Sequence, residues 1–295
     1  MTELRALVAE ELSLPVDPRV AAMAEAIAAK HGSASRAVLF YGSCLRQRQL
    51  EGLMLDFYLI VSDYRSAYRK RWLAVANALI PPNVFYFEHG GLAAKYAVLS
   101  EDDFRRECSV AARTSSVFAR FAQPSRLVWT ADEVARAMAV EAVASAAPAL
   151  LELTRPTMND EEARDVLSIW KRAFQLTYGA EIRAERYSRP EVIIEADPER
   201  YRRFALAAGL PRDIGEKHPE TYMNAWRHFQ RRGKRASVAR LTKASFTFAG
   251  GADYIAWKIN RHAGTKIELT PWQRRHPLLA AISLLPRLLR SGAVR

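Results

Sequence analysis

Cysteine is nearly absent: Cys44 and Cys108 are the two among 295 residues, with no CxxC pair and no Cys/His ligand spacing. That excludes a disulfide-stapled scaffold, argues against a structural zinc site, and fits a reducing compartment. No uncharged run reaches the ~20 residues that a membrane-spanning helix needs. The longest such run, residues 72–87, is interrupted by Pro81-Pro82. The opening MTELRALVAEELSLP has neither the basic-then-apolar order of a signal peptide nor the Arg-rich, acid-poor composition of a transit peptide, so a bacterial-type cytoplasmic chain is expected. There is no internal repeat and no low-complexity tract, and the six histidines are dispersed without metal-ligand spacing.

What is present is an ordinary globular balance, 49 % hydrophobic and 26 % charged, which excludes a mostly disordered chain. The length suggests about two domains at roughly 150 residues each. The net charge of +12 is unevenly placed, because residues 226–295 carry 15 basic and two acidic side chains while the remaining chain nets −1. A polyanion is the expected partner of that last quarter, either nucleic acid or an anionic lipid surface.

Asp17-Pro18 reads as an N-cap with proline at the first helical position, opening an alanine-rich helix to about Lys30. Residues 37–41 (AVLFY) and 53–61 (LMLDFYLIV) read as buried strands, 66–79 as a helix, and 84–87 with 94–99 as a hairpin around His89-Gly90-Gly91. Ser100 with Asp103 caps one helix, and Thr130 with Glu133 reads as a capping box for another over 131–147. After Pro156 the pattern turns helical, with starts at Asn159, Asp197-Pro198 and Pro219, and two short β-prone pieces at 192–194 and 246–248. A boundary is expected near 150–157.

The chemistry sits in Phe40-Tyr41-Gly42-Ser43 and, thirteen residues on, Leu55-Asp56-Phe57-Tyr58. A strand ending in Gly-Ser lets an anion approach the backbone closely, since glycine has no Cβ and a following helix start presents free N–H groups. Asp56 lies in an apolar strand, where an ionised carboxylate is costly unless it meets a cation. Phosphate donors beside a hard oxygen ligand are what a Mg-nucleotide requires. On spacing alone the same residues also read as a common turn and a solvent-facing strand end.

The pair resembles the nucleotidyltransferase signature, and the chain is similar to the mitochondrial-type CTP:phosphatidate cytidylyltransferases, the translocator assembly and maintenance family. That family writes its blocks roughly as G-Y-G-S, V-D-F-I, I-K-Y-G-V-I-S, A-G-R-L-Q-K-P and S-Y-x-G-D-x-R. Here they read as the two blocks above, then Ala94-Lys95-Tyr96-Ala97-Val98-Leu99-Ser100, Phe118-Ala119-Arg120-Phe121-Ala122-Gln123-Pro124 and Thr177-Tyr178-Gly179-Ala180-Glu181-Ile182-Arg183. A fainter match lies at Lys243-Ala244-Ser245-Phe246-Thr247. Phe40, Ala97 and Ala119 stand where the family has glycine, Ala180-Glu181 replaces Gly-Asp, and Tyr58 stands where many nucleotidyltransferases carry a second acid.

The resemblance implies an α+β fold: a nucleotidyltransferase-like mixed sheet with flanking helices over 1–152, then a mainly helical, winged-helix-like domain over 153–240. Residues 241–295 would form a basic amphipathic, membrane-associating segment. It implies CTP and phosphatidate as substrates and CDP-diacylglycerol and pyrophosphate as products. Tyr41, Gly42, Ser43 and Lys95 would hold the nucleotide, Asp56 a Mg²⁺ completed by Asp63 or Glu88, and Arg120 and Arg183 the lipid phosphate, with Asp56, Lys95 and Arg120 as the catalytic set. Read without the family, Lys95 points to solvent, Arg120 makes an internal salt bridge, and Arg183 pairs with Glu181. Cys44, without a nearby His, reads as a small buried residue rather than a nucleophile.

Residues 277–289 (PLLAAISLLPRLL) are apolar and too short to span, flanked by Trp272, Arg274, Arg275, Arg287 and Arg290. With Leu284 and Leu285 this reads either as an interfacial segment on the inner face of a membrane or as a helix closing the core. The cluster Arg231-Arg232-Gly233-Lys234-Arg235 would add attraction to anionic lipid. No nucleic-acid recognition motif is present, so none is expected as partner. The rival readings are a degenerate, non-catalytic module that binds membrane or RNA, and a nucleotidyltransferase with a soluble acceptor.

Overall fold

A computed structural model describes residues 2–47, 50–178, 189–210, 219–247 and 268–275. Helices α1 (Thr2–Ser13) and α2 (Pro18–His31) precede strand β1 (Ser35–Tyr41). Asp17 caps α2 by accepting the Arg19 amide at 2.8 Å, as its place before Pro18 predicts. A short α3 (Ser43–Gln47) leads to β2 (Met54–Val61), followed by α4 (Tyr64–Ala67), α5 (Arg71–Leu79) and the hairpin β3 (Asn83–His89) and β4 (Leu92–Ser100). Helices α6 (Glu101–Glu107) and α7 (Ser116–Phe121) then bring the chain to β5 (Ser125–Thr130).

The five strands form one mixed sheet in the order β3-β4-β2-β1-β5. Strand β2 runs antiparallel to β1 and parallel to β4, while β3 and β5 lie antiparallel at the edges. Alternation along the strands sends side chains to two cores. On one face Leu55, Phe57, Leu59 and Val61 meet Val20, Met23 and Ile27 of α2 together with Ala74 of α5. On the other, Leu39, Tyr58, Ile60 and Leu99 meet Leu4 and Val8 of α1, Phe104, Phe118 and Phe121. The α+β class and the mixed, helix-flanked sheet are as expected.

The remaining described chain is helical: α8 (Glu133–Ala144), α9 (Ala146–Thr154), α10 (Val166–Tyr178), α11 (Arg189–Glu195), α12 (Pro198–Ala207), α13 (Pro219–Thr247) and α14 (Pro271–Arg275). Several local expectations change. Thr130 ends β5 instead of capping, and Asp132 is the N-cap of α8, accepting the Ala135 amide at 2.7 Å. Asp165 rather than Asn159 caps α10. The β-prone residues 192–194 lie in α11, where Ile193 and Ile194 are buried, and 246–247 end α13, so no strand follows β5 among the described residues and the winged element has none there. The run Glu133–Thr157 has the length and apolarity of a membrane span, yet 61 % of its apolar 18-residue stretch is buried in the protein.

One buried cluster holds residues from both sides of position 152, from Leu4 to Trp226. A polar tie reinforces it. Arg200 of α12, 6 % exposed, donates to the Glu11 carboxylate of α1 and to the Ala122 carbonyl at 3.1 Å, with the Phe204 ring 4.1 Å from its guanidinium carbon. Removing one partner strands the other charge in the interior. Arg200→Ala should therefore lose about 3–5 kcal/mol in urea unfolding, and Arg200→Met less, because it removes the cation and keeps much of the volume.

His31 ends α2 within a ring of Tyr68, Phe85 and Tyr96. Its Nδ1 lies 3.0 Å from the Ala67 carbonyl, to which it donates, and its Nε2 accepts from the Tyr96 hydroxyl at 3.2 Å, which fixes a neutral tautomer. Burial holds the imidazole below its ordinary value of 6.5 despite the Ala67 bond. The unfolded chain thus takes up the proton first, so the stability is complete above about 6.5 and is lost as pH falls through the lowered native value. Urea midpoints should fall between about pH 7 and pH 5, and His31→Phe should flatten that part of the decline.

Candidate active site

Sheet register builds the site. Tyr86 of β3 pairs with Lys95 of β4, Lys95 with Asp56 of β2, Asp56 with Tyr41 of β1, and Tyr41 with Ser125 of β5. One cross-strand row therefore joins all five strands at the end where β1 finishes and β2, β4 and β5 begin. By alternation it lies on the face that carries Tyr58 and Phe121. The Phe121 ring of α7 stands 6.0 Å from Tyr41 and 5.3 Å from Tyr58, and Tyr41 stands 5.4 Å from Tyr58, so an aromatic wall closes one side of Asp56.

Gly42 takes φ +97°, where side chains are strained. A Cβ built on it would stand 2.9 Å from Oδ2 of Asp56. The glycine is thus the condition for Asp56 to lie against the β1 turn. The other carboxylate oxygen, Oδ1, meets Lys95 Nζ at 3.1 Å, with side-chain exposures of 18 % for Asp56 and 46 % for Lys95. Lys95 is therefore turned to the carboxylate rather than left to solvent alone. Ser43 follows at the start of α3, and Cys44 is buried with its thiol 3.4 Å from the Met54 carbonyl. Burial, and then the Asp56 charge, push that thiol up, so Cys44 is no thiolate nucleophile.

The structure thus gathers Tyr41, Gly42, Ser43, Asp56 and Lys95. Arg120 sits next to Phe121 on α7, on the same side of the sheet, and its Nη1 donates to the Ser116 carbonyl at 2.5 Å. Asp63 cannot join Asp56: it lies beyond the far end of β2 and caps α4 through the Arg65 and Ser66 amides. Glu88 is at the near end, on edge strand β3, and its carboxylate accepts from the Tyr86 hydroxyl. Arg183, Leu284, Leu285 and Arg287 lie outside the described residues. Trp272 is 52 % exposed on α14, the short helix that also includes Arg274 and Arg275.

Residues that sequence reasoning passed over complete the surroundings. Tyr86 and Ser125 stand in the row, and the buried Ser125 hydroxyl has no hydrogen-bond partner among the described residues. Only strand register reveals them. Arg240 of α13 donates to the Pro81 carbonyl at 2.7 Å and to Ser116 Oγ at 3.1 Å. Lys243 donates to the Ile80 and Pro82 carbonyls, and burial followed by the nearby Arg240 brings its ammonium down to about 7.

No group of three His, Cys, Asp or Glu that could hold a metal occurs among the described residues. A preformed cage is therefore not what these residues offer. Mg²⁺ is commonly held by one or two carboxylates plus substrate phosphates and waters, and the single partly exposed Asp56 fits an ion that arrives on a nucleotide. Lys95 would have to yield Oδ1. Net stabilisation by a pair this exposed is of order 1 kcal/mol, which a triphosphate can outcompete.

No protein-family model matches the chain, and no curated protein matches it in sequence. Among solved structures, a nucleotidyltransferase-like protein from Exiguobacterium sibiricum is 10 % identical, with 92 % of each chain covered and a TM-score of 0.29. Likeness at that level carries no functional inference.

The Gly42 geometry is testable without substrate. Gly42→Ala should lower stability by about 1–3 kcal/mol in urea unfolding, from the positive φ and the close carboxylate together. In an Asp56→Gly background the loss should shrink, and the double-mutant cycle measures the contact itself.

Proposed function

We propose that the chain is a nucleotidyltransferase working at the Asp56 end of the sheet, with CTP as donor and phosphatidate as acceptor. The observation that carries this is the Asp56 carboxylate held between the side-chain-free Gly42 and the ammonium of Lys95. It joins a close backbone approach, a hard oxygen ligand and a half-exposed cation in one place. The motif resemblance supplies the substrates. Its first three blocks fall on the neighbouring strands β1, β2 and β4, and its fourth on α7, whose Phe121 packs on Tyr41 and Tyr58.

A phosphatidate oxygen would attack the α-phosphorus of CTP, and the bond to the β-phosphate would break to release pyrophosphate. The attacking phosphomonoester has a second pKa of about 6 and is already ionised near neutrality. No general base is needed, which suits a site with Tyr58 where a second acid would stand. Positioning and charge neutralisation then carry the rate. Lys95 would leave Asp56 for a phosphate oxygen, the Ser43 hydroxyl would donate to the triphosphate, and Arg120 would face the acceptor phosphate. Mg²⁺, bound through Asp56, would supply further neutralisation of the triphosphate. The acceptor being a lipid, the protein would work peripherally on the inner, cytoplasmic face of a membrane, with Trp272 and the basic C-terminal quarter against anionic headgroups.

A second reading has its own support, since no three-member acidic or histidine cluster is found among the described residues. In it the fold binds an anionic surface without turnover. Labelled CTP, Mg²⁺ and phosphatidate vesicles separate the two. Pyrophosphate should be released, Asp56→Ala should lower kcat by about 10²-fold or more, and Lys95→Met by about 10–10²-fold, with thermal midpoints near wild type. Turnover untouched by Asp56→Ala removes the site; no turnover with any nucleotide and lipid phosphate leaves the binding module.

A further inference from the structure

Between Tyr64 and Phe87 the chain has no Asp or Glu but has Arg65, Arg69, Lys70 and Arg71, all four exposed. None of their four side chains takes part in an ion pair or hydrogen bond with another described residue. Helix α5 follows at once. Its inner side is pinned to the sheet: Asn77, fully buried, donates to the Val98 carbonyl at 3.0 Å and accepts from the Tyr68 hydroxyl at 3.3 Å, while Asn83 Nδ2 donates to the Leu73 carbonyl at 3.0 Å. Its outer side carries Trp72, Val75 and Leu79 at 48, 57 and 73 % exposure. At 100° per residue these three fall within an arc of about 60°, opposite Ala74 and Asn77.

We infer that α5 is an interfacial helix that seats the protein on an anionic bilayer, with Trp72, Val75 and Leu79 in the headgroup–acyl boundary and Arg65, Arg69, Lys70 and Arg71 on lipid phosphates. A stripe of Trp and aliphatic side chains beside unpaired cations is the pattern that such helices show. Nucleic acid would be drawn to the same cations but offers nothing to a Val75-Leu79 stripe, which it would leave in water. The neighbouring helix α13 sharpens the choice. Among the described side chains, its exposed Arg231, Arg232, Lys234 and Arg235 have Val238 as their one large exposed aliphatic companion, so α13 supplies attraction and α5 supplies insertion. The inference deepens the lipid-acceptor reading and rests on it for its purpose; its observations are separate from the Asp56 site.

The full chain should be tested by co-sedimentation with phosphatidylcholine vesicles with and without phosphatidylglycerol. Wild type should bind the anionic vesicles, and Trp72→Ser with Leu79→Ser should weaken that binding about tenfold or more, with an unchanged circular-dichroism spectrum and urea midpoint. Arg69→Glu with Lys70→Glu should weaken the preference for anionic lipid and lessen its dependence on salt. As a check that leaves packing intact, quenching of tryptophan fluorescence by brominated lipid should drop in Trp72→Phe. Asp56→Ala should still bind vesicles, and the serine pair should still bind Mg-CTP in calorimetry, so failure of the surface and failure of the transfer reading are told apart. The inference is overturned if wild type ignores anionic vesicles, if the serine pair binds them like wild type, or if single-stranded RNA binds instead and is insensitive to the serine pair.

Discussion

An ionised carboxylate near the middle of a sheet imposes the constraint from which the rest of this molecule follows. Asp56 is on β2, the central strand, flanked by β1 and β4, and only 18 % of its side chain reaches solvent. Such a group is tolerated when a cation and an open approach are supplied together. Lys95 supplies the first from the parallel neighbour and Gly42 the second from the antiparallel one. Each contribution depends on register, because a one-residue slip of β4 would turn Lys95 to the opposite core and bring a neutral neighbour, Ala94 or Tyr96, to its place. The buried alternation that fixes the register, Ala94, Tyr96 and Val98 on one face and Ala97 and Leu99 on the other, is thus also what positions the site.

The parts legible in the sequence were those with local physical signals. Asp17-Pro18, the apolar runs of β1 and β2 and the Gly90-Gly91 hairpin are short-range patterns that stand in the structure as read, and Gly42 and Asp56, singled out together by their spacing, lie against each other. The contact between Asp56 and Lys95 spans 39 positions and is set by parallel pairing, so no spacing announces it. Strand β5 was hidden because SRLVWT alternates weakly and ends in Thr130, three residues before Glu133, imitating a capping box; Asp132, two residues closer to the helix, wins the cap. Residues 192–194 show the reverse error. Their β-branched composition suggests a strand, but Ile193 and Ile194 bury well from adjacent positions of a helix, and packing overrides propensity.

The helical region after residue 152 is joined to the sheet by interior contacts of two kinds. Apolar packing runs unbroken through Trp170, Phe174, Tyr201 and Trp226. The Arg200 tie adds direction to it, because its guanidinium reaches Glu11 on α1 and the Ala122 carbonyl between α7 and β5. Ala122 is two residues from Arg120 and three from Ser125. The tie therefore fixes the turn on which the fourth motif block ends, and a helix remote in sequence steadies one wall of the Asp56 site. Trp170 and Trp226 spend their indole N–H groups likewise, on the Tyr201 and Leu153 carbonyls, so the large aromatic interior leaves neither donor unsatisfied.

Charge counted along the chain and charge placed in space tell different stories. By count, the whole excess belongs to residues 226–295. In space, part of that excess is consumed inside: Arg240 and Lys243 satisfy the carbonyls of Ile80, Pro81 and Pro82, at the turn between α5 and β3. That grip draws the end of α13 to the end of α5. Two groups of exposed cations with no acidic partner among the described residues, Arg65 to Arg71 leading into α5 and Arg231 to Arg235 on α13, therefore meet the same edge of the sheet. At about 1 kcal/mol for each cation near an anionic surface, four cations on either side would give attraction that falls with salt, whereas the apolar stripe of α5 would give attraction that does not. The distinction between a surface merely drawn to polyanions and one built to lie on lipid therefore rests on Trp72, Val75 and Leu79, and not on the net charge that first suggested a polyanion.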